Sequence, residues 1–317
     1  MKALTLILGI LIASNYKIQA SQAFEESVLQ SVVSVIPRHP FKKNKLLSNA
    51  KRTQAPEGTA VAVFPGGFLA TNSHVLGSAK FIDIRLEDGR FIQANIIGRD
   101  PFTDIALLQV PLELPILKIA QEIKIASPVC AVGNQFGLGL SVTCGVISAL
   151  HRTGTGFNPI EDFIQTDATI NPGGSGGALV NGSGEMVGLV SAIFTKESDS
   201  NIGVNFAISS EMVLRVITDL RDYGRVKRGR SGIRVRSLRL EDRRSKVGAL
   251  INFVKEGGAG FKGGLRPGHI ITKIGNRNIT KPTDVSSAFH KFRPGEAVEI
   301  EYLNPEDKLK TEIFLLP

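Results

Sequence analysis

The sequence is 317 residues long, 42% apolar and 21% charged, with 33 Gly, 15 Pro and no Trp; that suffices for two average domains and excludes a disordered or collagen-like chain. The net charge of +9 is concentrated rather than spread, because residues 221–247 hold eleven basic side chains against Asp222, Glu241 and Asp242. Two cysteines exclude a disulfide-built scaffold and a four-cysteine zinc site, and allow one disulfide at most.

At the N-terminus, Lys2 precedes an apolar run over residues 3–13, and Ser21, Gln22 and Ala23 form a small-x-small pattern. Residues 1–23 are therefore predicted to be a signal peptide cleaved before Phe24. An uncleaved membrane anchor and an N-terminal helix of the fold are the alternatives, and against the anchor the run falls short of the ~20 apolar residues that cross a bilayer. Export implies an oxidising compartment, where Cys130 and Cys144 either pair or remain buried free thiols. They lie symmetrically about Gly137, which sets them opposite each other if their flanking runs form a hairpin.

Residues 24–35 have helix-like or mixed apolar spacing, and 37–57 read as a long exposed loop. From Thr59 onward short β-rich runs alternate with turn signals, at 60–64, 81–86, 91–97, 105–110, 129–132, 142–149, 163–165, 178–180, 186–194 and 203–208. Strands at this spacing predict a mostly β barrel or sandwich, since βαβ units would need helical patterns between them. A helix is predicted over 210–223, capped by Ser209 or Ser210, with Val213, Leu214, Ile217 and Leu220 as its apolar face and Gly224 as its end. A basic linker, 225–230, leads to a smaller β-rich α+β domain, 231–317, with strands at 249–254, 269–274, 297–303 and 310–315 and a helix over about 284–292. The larger domain is 24–224.

The chemistry points to three places. Asn171-Pro172-Gly173-Gly174-Ser175-Gly176-Gly177 sets a serine among glycines that permit a tight turn and aim amides at a reacting oxyanion. Most Gly/Ser-rich turns are only loops, but His74 and Asp104 are each a polar residue embedded in an apolar run, and a buried polar group requires a partner. The order His, Asp, Ser is that of chymotrypsin-type enzymes. The segment 173–177 also fits G-x-S-x-G, yet the only histidines after Ser175 are His269 and His290, both in the second domain, so an α/β-hydrolase is rejected.

With those residues in place, nearly the whole mature chain (24–317) resembles the HtrA (high-temperature-requirement, or Deg) family of trypsin-like proteases with a PDZ domain. The carriers are residues 71–76, 89–110, 132–134 with 136–139, 141–150, 163–180 and 224–229. The resemblance implies a mostly β chymotrypsin-like protease domain of two perpendicular six-stranded barrels followed by one PDZ domain. It also implies a bacterial periplasmic setting, ATP-independent cleavage of unfolded or misfolded polypeptides, and a homotrimer or higher oligomer. His74 is then the general base, Asp104 orients it, Ser175 is the nucleophile, and the amides of Gly173 and Ser175 form the oxyanion hole. Ala192, Ile193 and Phe194, with Thr169 and Ile170 behind them, match the specificity pocket, and with no acid among them small aliphatic side chains are the expected preference. Arg152 matches a regulatory arginine in related proteases; a solvated surface arginine is the alternative. The sequence departs from the family pattern at Gln135, where proline is usual, and at Gly174, where asparagine usually precedes the serine.

Residues 264–276, with Arg266-Pro267-Gly268-His269, resemble the most diagnostic turn and strand of protease-associated PDZ domains. Ser231, Gly232 and Ile233 occupy the position of the loop that holds a C-terminal carboxylate while an extended tail adds beside a strand. Arg230, Arg234 and Arg236 either favour acidic tails or form a solvated basic linker. Nucleic acid is not an expected partner, because its binding motifs are absent, whereas an anionic membrane surface is an alternative use of the basic patch. No metal or nucleotide motif is present, and no cofactor is expected. Two other functions remain open from the sequence: a chaperone or binding protein with a latent active site, and a membrane-anchored regulatory protease that cuts one signalling substrate.

Overall fold

A computed structural model describes residues 28–38, 57–193 and 203–317; of Ala192 and Ile193 it describes the backbone alone. The predicted signal peptide, most of the loop expected over 37–57, and Phe194 lie outside the described residues. The chain folds as two units, one ending at Gly224 and one that joins Arg152–Asp162 to Arg225–Pro317.

In the first unit, β1 (Val32–Arg38), β2 (Gly58–Phe64), β3 (Phe68–Asn72), β4 (Phe81–Arg85), β5 (Phe91–Asp100) and β6 (Ile105–Gln109) close into a barrel in the order β1-β2-β3-β6-β5-β4. Closure leaves no free sheet edge, and Val35, Ala60, Leu69, Ile82, Ile84 and Leu108 fill the interior. The helix-like or mixed reading of 24–35 is corrected over 32–35, which are strand; residues 24–27 lie outside the described residues. Val32, Val33, Ser34 and Val35 are all buried in β1, so both faces are covered and the alternation that marks a half-exposed strand is missing.

A second closed barrel follows, built from β7 (Pro128–Gly133), β8 (Ser141–Arg152), β9 (Phe163–Thr166), β10 (Ala178–Asn181), β11 (Met186–Ile193) and β12 (Asn205–Ser209) in the order β10-β11-β12-β9-β8-β7. Cys130 and Cys144 face each other across β7 and β8 and form a disulfide. A four-residue helix, α1 (Ser73–Leu76), leaves β3, and α2 (Ser210–Tyr223) packs on β5, β6, β11 and β12, touching both barrels. The Ser209 hydroxyl accepts the Met212 amide at one end of α2, and Gly224 turns left-handed at φ 67° at the other. Its buried face is Met212, Val213, Val216, Ile217 and Leu220; the predicted face is corrected at Leu214, which points to solvent.

In the second unit, β13 (Ile233–Arg236), β14 (Ala249–Val254), β15 (Ile270–Ile274), β17 (Ala297–Leu303) and β18 (Leu309–Leu315) make a sheet in that order, with β16 (Arg277–Asn278) paired to β15. α3 (Ala259–Lys262) and α4 (Pro282–His290) complete it around Ile251, Leu265, Ile271, Val285 and Ile300. α4 starts two residues before the predicted position because Pro282 takes the first helical place and Asp284 accepts the Lys281 amide as a cap. The segment 152–162 is fastened to this unit. The Thr153 hydroxyl donates to Asp284 Oδ1 (2.6 Å), Lys281 Nζ donates to the Thr153 carbonyl (2.6 Å), and the buried Arg277 pairs with the buried Asp162 (3.0 Å). Within the segment the Glu161 carboxylate accepts the amides of Thr155, Gly156, Phe157 and Asn158.

Candidate active site

Strand register explains why His74 meets Asp104. Asn72, the last residue of β3, lies opposite Ile105, the first of β6, so the residues just beyond these ends are neighbours in space. His74 Nδ1 is 2.6 Å from Asp104 Oδ2, and the His74 amide donates to Asp104 Oδ1 at 2.8 Å. Asp104 adopts a left-handed backbone (φ 60°), which a short polar side chain tolerates better than most. Its carbonyl accepts the Ser73 amide (3.1 Å) and the Asn72 side-chain amide (3.0 Å), so the aspartate is held by both backbone and side chain. The Asp104 side chain is 11% exposed and that of His74 51%, which puts the carboxylate under the imidazole and the imidazole at the surface. With Nδ1–H given to the carboxylate, Nε2 is left as a proton acceptor.

Ser175 comes from the loop before β10 in the second barrel, and β2 joins the two halves of the site. The Thr59 amide donates to the Ser175 carbonyl (2.9 Å), while its neighbour Gly58 packs directly against Val75, next to His74. The Ser175 hydroxyl donates to the Ser191 carbonyl (3.1 Å) rather than to the imidazole, so the serine–histidine hydrogen bond is not made.

The loop ahead of Ser175 is pinned from beneath. The Thr59 hydroxyl accepts the Asn134 amide (2.9 Å) and donates to the Gly173 carbonyl (2.7 Å). The Phe136 amide donates to the Pro172 carbonyl (2.7 Å), and the Asn171 side-chain amide donates to Gln135 Oε1 (2.8 Å). Gly173 stands at φ 93°, and a Cβ there would run into the Asn134 carbonyl; at Gly176, φ 85°, one would run into the Thr59 carbonyl. Among the described residues the amides of Gly173 and Ser175 donate to no acceptor, although their carbonyls are bonded. Two unpaired amides beside a serine hydroxyl can bind a developing oxyanion.

Of the other predicted positions, Ile170 is buried in the core of the second barrel and Thr169 is exposed, with its carbonyl accepting from the Thr143 hydroxyl. Ala192 and Ile193 lie at the end of β11, and Arg152 is the exposed last residue of β8. Thr59, Asn134, Gln135 and Asn171 were not singled out as site supports from the sequence. Each is an uncharged polar residue, a weak signal that its pairings alone make meaningful.

In the second unit, Ser231 and Gly232 form a loop at the start of β13, an edge strand with α4 beside it. Their carbonyls accept the amides of Gly260 and Lys255 (2.8 Å each), and Gly232 has φ 74°. Among the described residues the Ser231 and Gly232 amides donate to no acceptor, which leaves two adjacent N–H groups available to a carboxylate.

The family model described as a trypsin-like peptidase domain matches residues 58–189, and the PDZ domain model matches 220–289. The periplasmic serine endoprotease DegP of Salmonella typhimurium is 41% identical over 254 residues, covering 74% of this chain and 53% of the relative. The periplasmic pH-dependent serine endoprotease DegQ of Escherichia coli is 37% identical over 258 residues, covering 78% and 56%. The chain thus spans about half the length of the curated relatives it matches. Among solved structures, the HtrA-type protease AlgW with a tripeptide superposes with a TM-score of 0.72 at 32% identity, covering 92% of this chain and 96% of that one.

Proposed function

This chain belongs to the HtrA family of trypsin-like serine proteases with a PDZ domain, and from that premise we propose that it is an ATP-independent serine endopeptidase that cleaves unfolded or misfolded proteins in the periplasm. The observation that carries the reading is the double contact of Asp104 with His74, through the ring and through the amide. In this reading the Ser175 hydroxyl rotates from the Ser191 carbonyl towards His74 Nε2, which takes its proton as Oγ attacks the scissile carbonyl. Asp104 stabilises the imidazolium so formed, and the amides of Gly173 and Ser175 hold the oxyanion. His74 then returns the proton to the leaving amine, and a water repeats the sequence to release the acyl group. Thr169, Ile170, Ala192, Ile193 and Phe194 would line the pocket for the residue before the cut, with small aliphatic side chains preferred. Arg152 is assigned a regulatory role.

Ser231, Gly232 and Ile233 would hold the carboxylate of a C-terminal tail that lies against β13, either presenting substrate or setting activity. The names of the DegP and DegQ relatives support the periplasm as the compartment; cleavage of residues 1–23, a homotrimer or larger assembly, a stress-response or chaperone role and contact with a membrane surface belong to the same proposal. Among the described residues no helix is long and apolar enough to cross a membrane. A second reading, a tail-binding or chaperone protein with a latent site, draws on the Ser175 hydroxyl being turned to Ser191.

Digestion of reduced, unfolded casein by the full chain and by Ser175→Ala, without ATP or metal and with or without apolar C-terminal peptides, separates the two. Removing the serine of such a triad costs about 10⁶-fold in rate, so the protease reading expects cleavage by the wild type and none by the variant. No cleavage by either protein under any condition favours the latent-site reading.

A further inference from the structure

The edge strand β13 carries a charge pattern that the tail-binding reading does not by itself explain. Ile233 and Val235 pack against the core of the second unit, whereas Arg234 and Arg236 are exposed on the opposite face. The alternation is unbroken, because the bulge in the β13–β14 pairing falls in β14, between the partners of Arg234 (Phe253) and Val235 (Ile251). Arg234 lies over the Phe253 ring at 5.1 Å, which fixes its guanidinium on the outer face. Among the described residues neither Arg234 nor Arg236 has a carboxylate partner, while Arg239 nearby pairs with Glu241. Arg230, one residue before the carboxylate loop, is likewise exposed and without an ion pair among the described residues.

Residues directly opposite each other in an antiparallel pair point to the same face. If a tail is held by its carboxylate at Ser231 and Gly232, its last residue faces the groove beside Ile233. The penultimate residue then lies opposite Arg234, and the residue two before it lies opposite Arg236, both on the outer face. We infer that β13 selects C-terminal tails with acidic side chains at these two alternate positions, read by Arg234 and Arg236. The inference rests on the tail-binding part of the proposed function and adds to it the class of partner. The charge match steers the encounter as well as fixing the register, and because the arginines are exposed the preference is sensitive to salt.

The test is fluorescence anisotropy on the full chain carrying Ser175→Ala, with labelled ten-residue peptides that share an apolar last residue. Three versions carry Glu, Gln or Lys at both outward positions; a fourth keeps the apolar last residue and carries Glu at the third and fifth residues from the end, which face the groove side, instead. The Glu peptide is expected to bind about tenfold more tightly than the Gln peptide at low salt, with Lys weakest and the gap closing as salt rises. The fourth peptide is expected to show no such gain. In Arg234→Glu/Arg236→Glu the order inverts, Lys before Glu, a result that a misfolded domain cannot produce. Equal binding of the Glu, Gln and Lys peptides, or an equal gain from Glu at the groove-facing positions, overturns the inference but leaves tail binding standing. Failure of every peptide to bind overturns the inference and tail binding together, while casein cleavage still judges the protease reading.

Discussion

Among the described residues, two loops leave a pair of main-chain amides without acceptors, at Gly173 and Ser175 in the first unit and at Ser231 and Gly232 in the second, and they are supported in different ways. Side chains from beneath hold the first loop: Thr59 reaches it from the other barrel, and Gln135 holds Asn171. Backbone stands so close that a Cβ at Gly173 or Gly176 would overlap a carbonyl oxygen. Among the described residues, main-chain hydrogen bonds from Gly260 and Lys255 hold the second loop, and exposed arginines flank it. The contrast fits their proposed tasks. An oxyanion hole works by being fixed before the charge arrives, whereas a tail-binding edge only has to present amides and select by charge.

Adding one methyl group to each loop breaks the comparison most sharply. Gly176→Ala combines a positive φ of 85° with overlap on the Thr59 carbonyl, and the expected cost is about 3 kcal/mol or more of stability with loss of peptidase activity. A smaller effect concerns the support of the second unit. Burial would raise the Asp284 carboxyl, but hydrogen bonds from Thr153 and from the amide and hydroxyl of Thr280, aided by the Lys281 charge, hold it below the ordinary carboxylate value. A carboxylate lowered in the folded state contributes stability above its unfolded pKa and loses that contribution as the pH falls through the folded value. Hydrogen exchange of the α4 amides is therefore expected to quicken as the pH is lowered below about 4, beyond the intrinsic pH dependence of exchange, and Asp284→Asn should flatten that acid response while weakening α4 at neutral pH. The smallest effect is expected for Gly232→Ala. There φ is 74°, but the nearest atom to an added Cβ is Lys255 Cβ at 3.4 Å, so only the backbone strain of about 1 kcal/mol applies. Denaturant midpoints compare the two glycine variants, and similar losses in both would erase the distinction between the loops.

The parts of this fold that could be read from sequence are those whose signals are local. α2 announced itself through Ser209, Gly224 and an apolar face, although Leu214 was assigned to the wrong side of it. β1 and β3 were missed because nearly every residue in them is buried, so no alternation shows. β13 was missed because its Arg-Val-Arg pattern continues a basic linker and looks like one. The mostly β character with two barrel halves and a PDZ unit was legible through motifs more than through periodicity. The contact between His74 and Asp104 was foreseeable from two polar residues in apolar runs and from the family resemblance; the reason they meet, the opposition of Asn72 and Ile105, depends on strand register. The Thr153–Asp284 hydrogen bond spans 131 residues and the Thr59–Gly173 bond spans 114, separations at which sequence offers no pairing signal without the fold. For the cysteines, symmetry about Gly137 left a disulfide and two free thiols open, and the pairing of β7 with β8 places them in a disulfide.

The account depends above all on Ser175 being activated by His74 and Asp104. The most direct measurement is labelling of the folded full chain with a serine-reactive fluorophosphonate, followed by intact mass and peptide mapping, for the wild type, His74→Ala and Ser175→Ala. The account predicts one adduct on Ser175 of the wild type at neutral pH, strongly slowed labelling in His74→Ala and no adduct in Ser175→Ala. A wild type that gains no adduct, with or without an apolar C-terminal peptide present, or that is labelled at another residue, would contradict it.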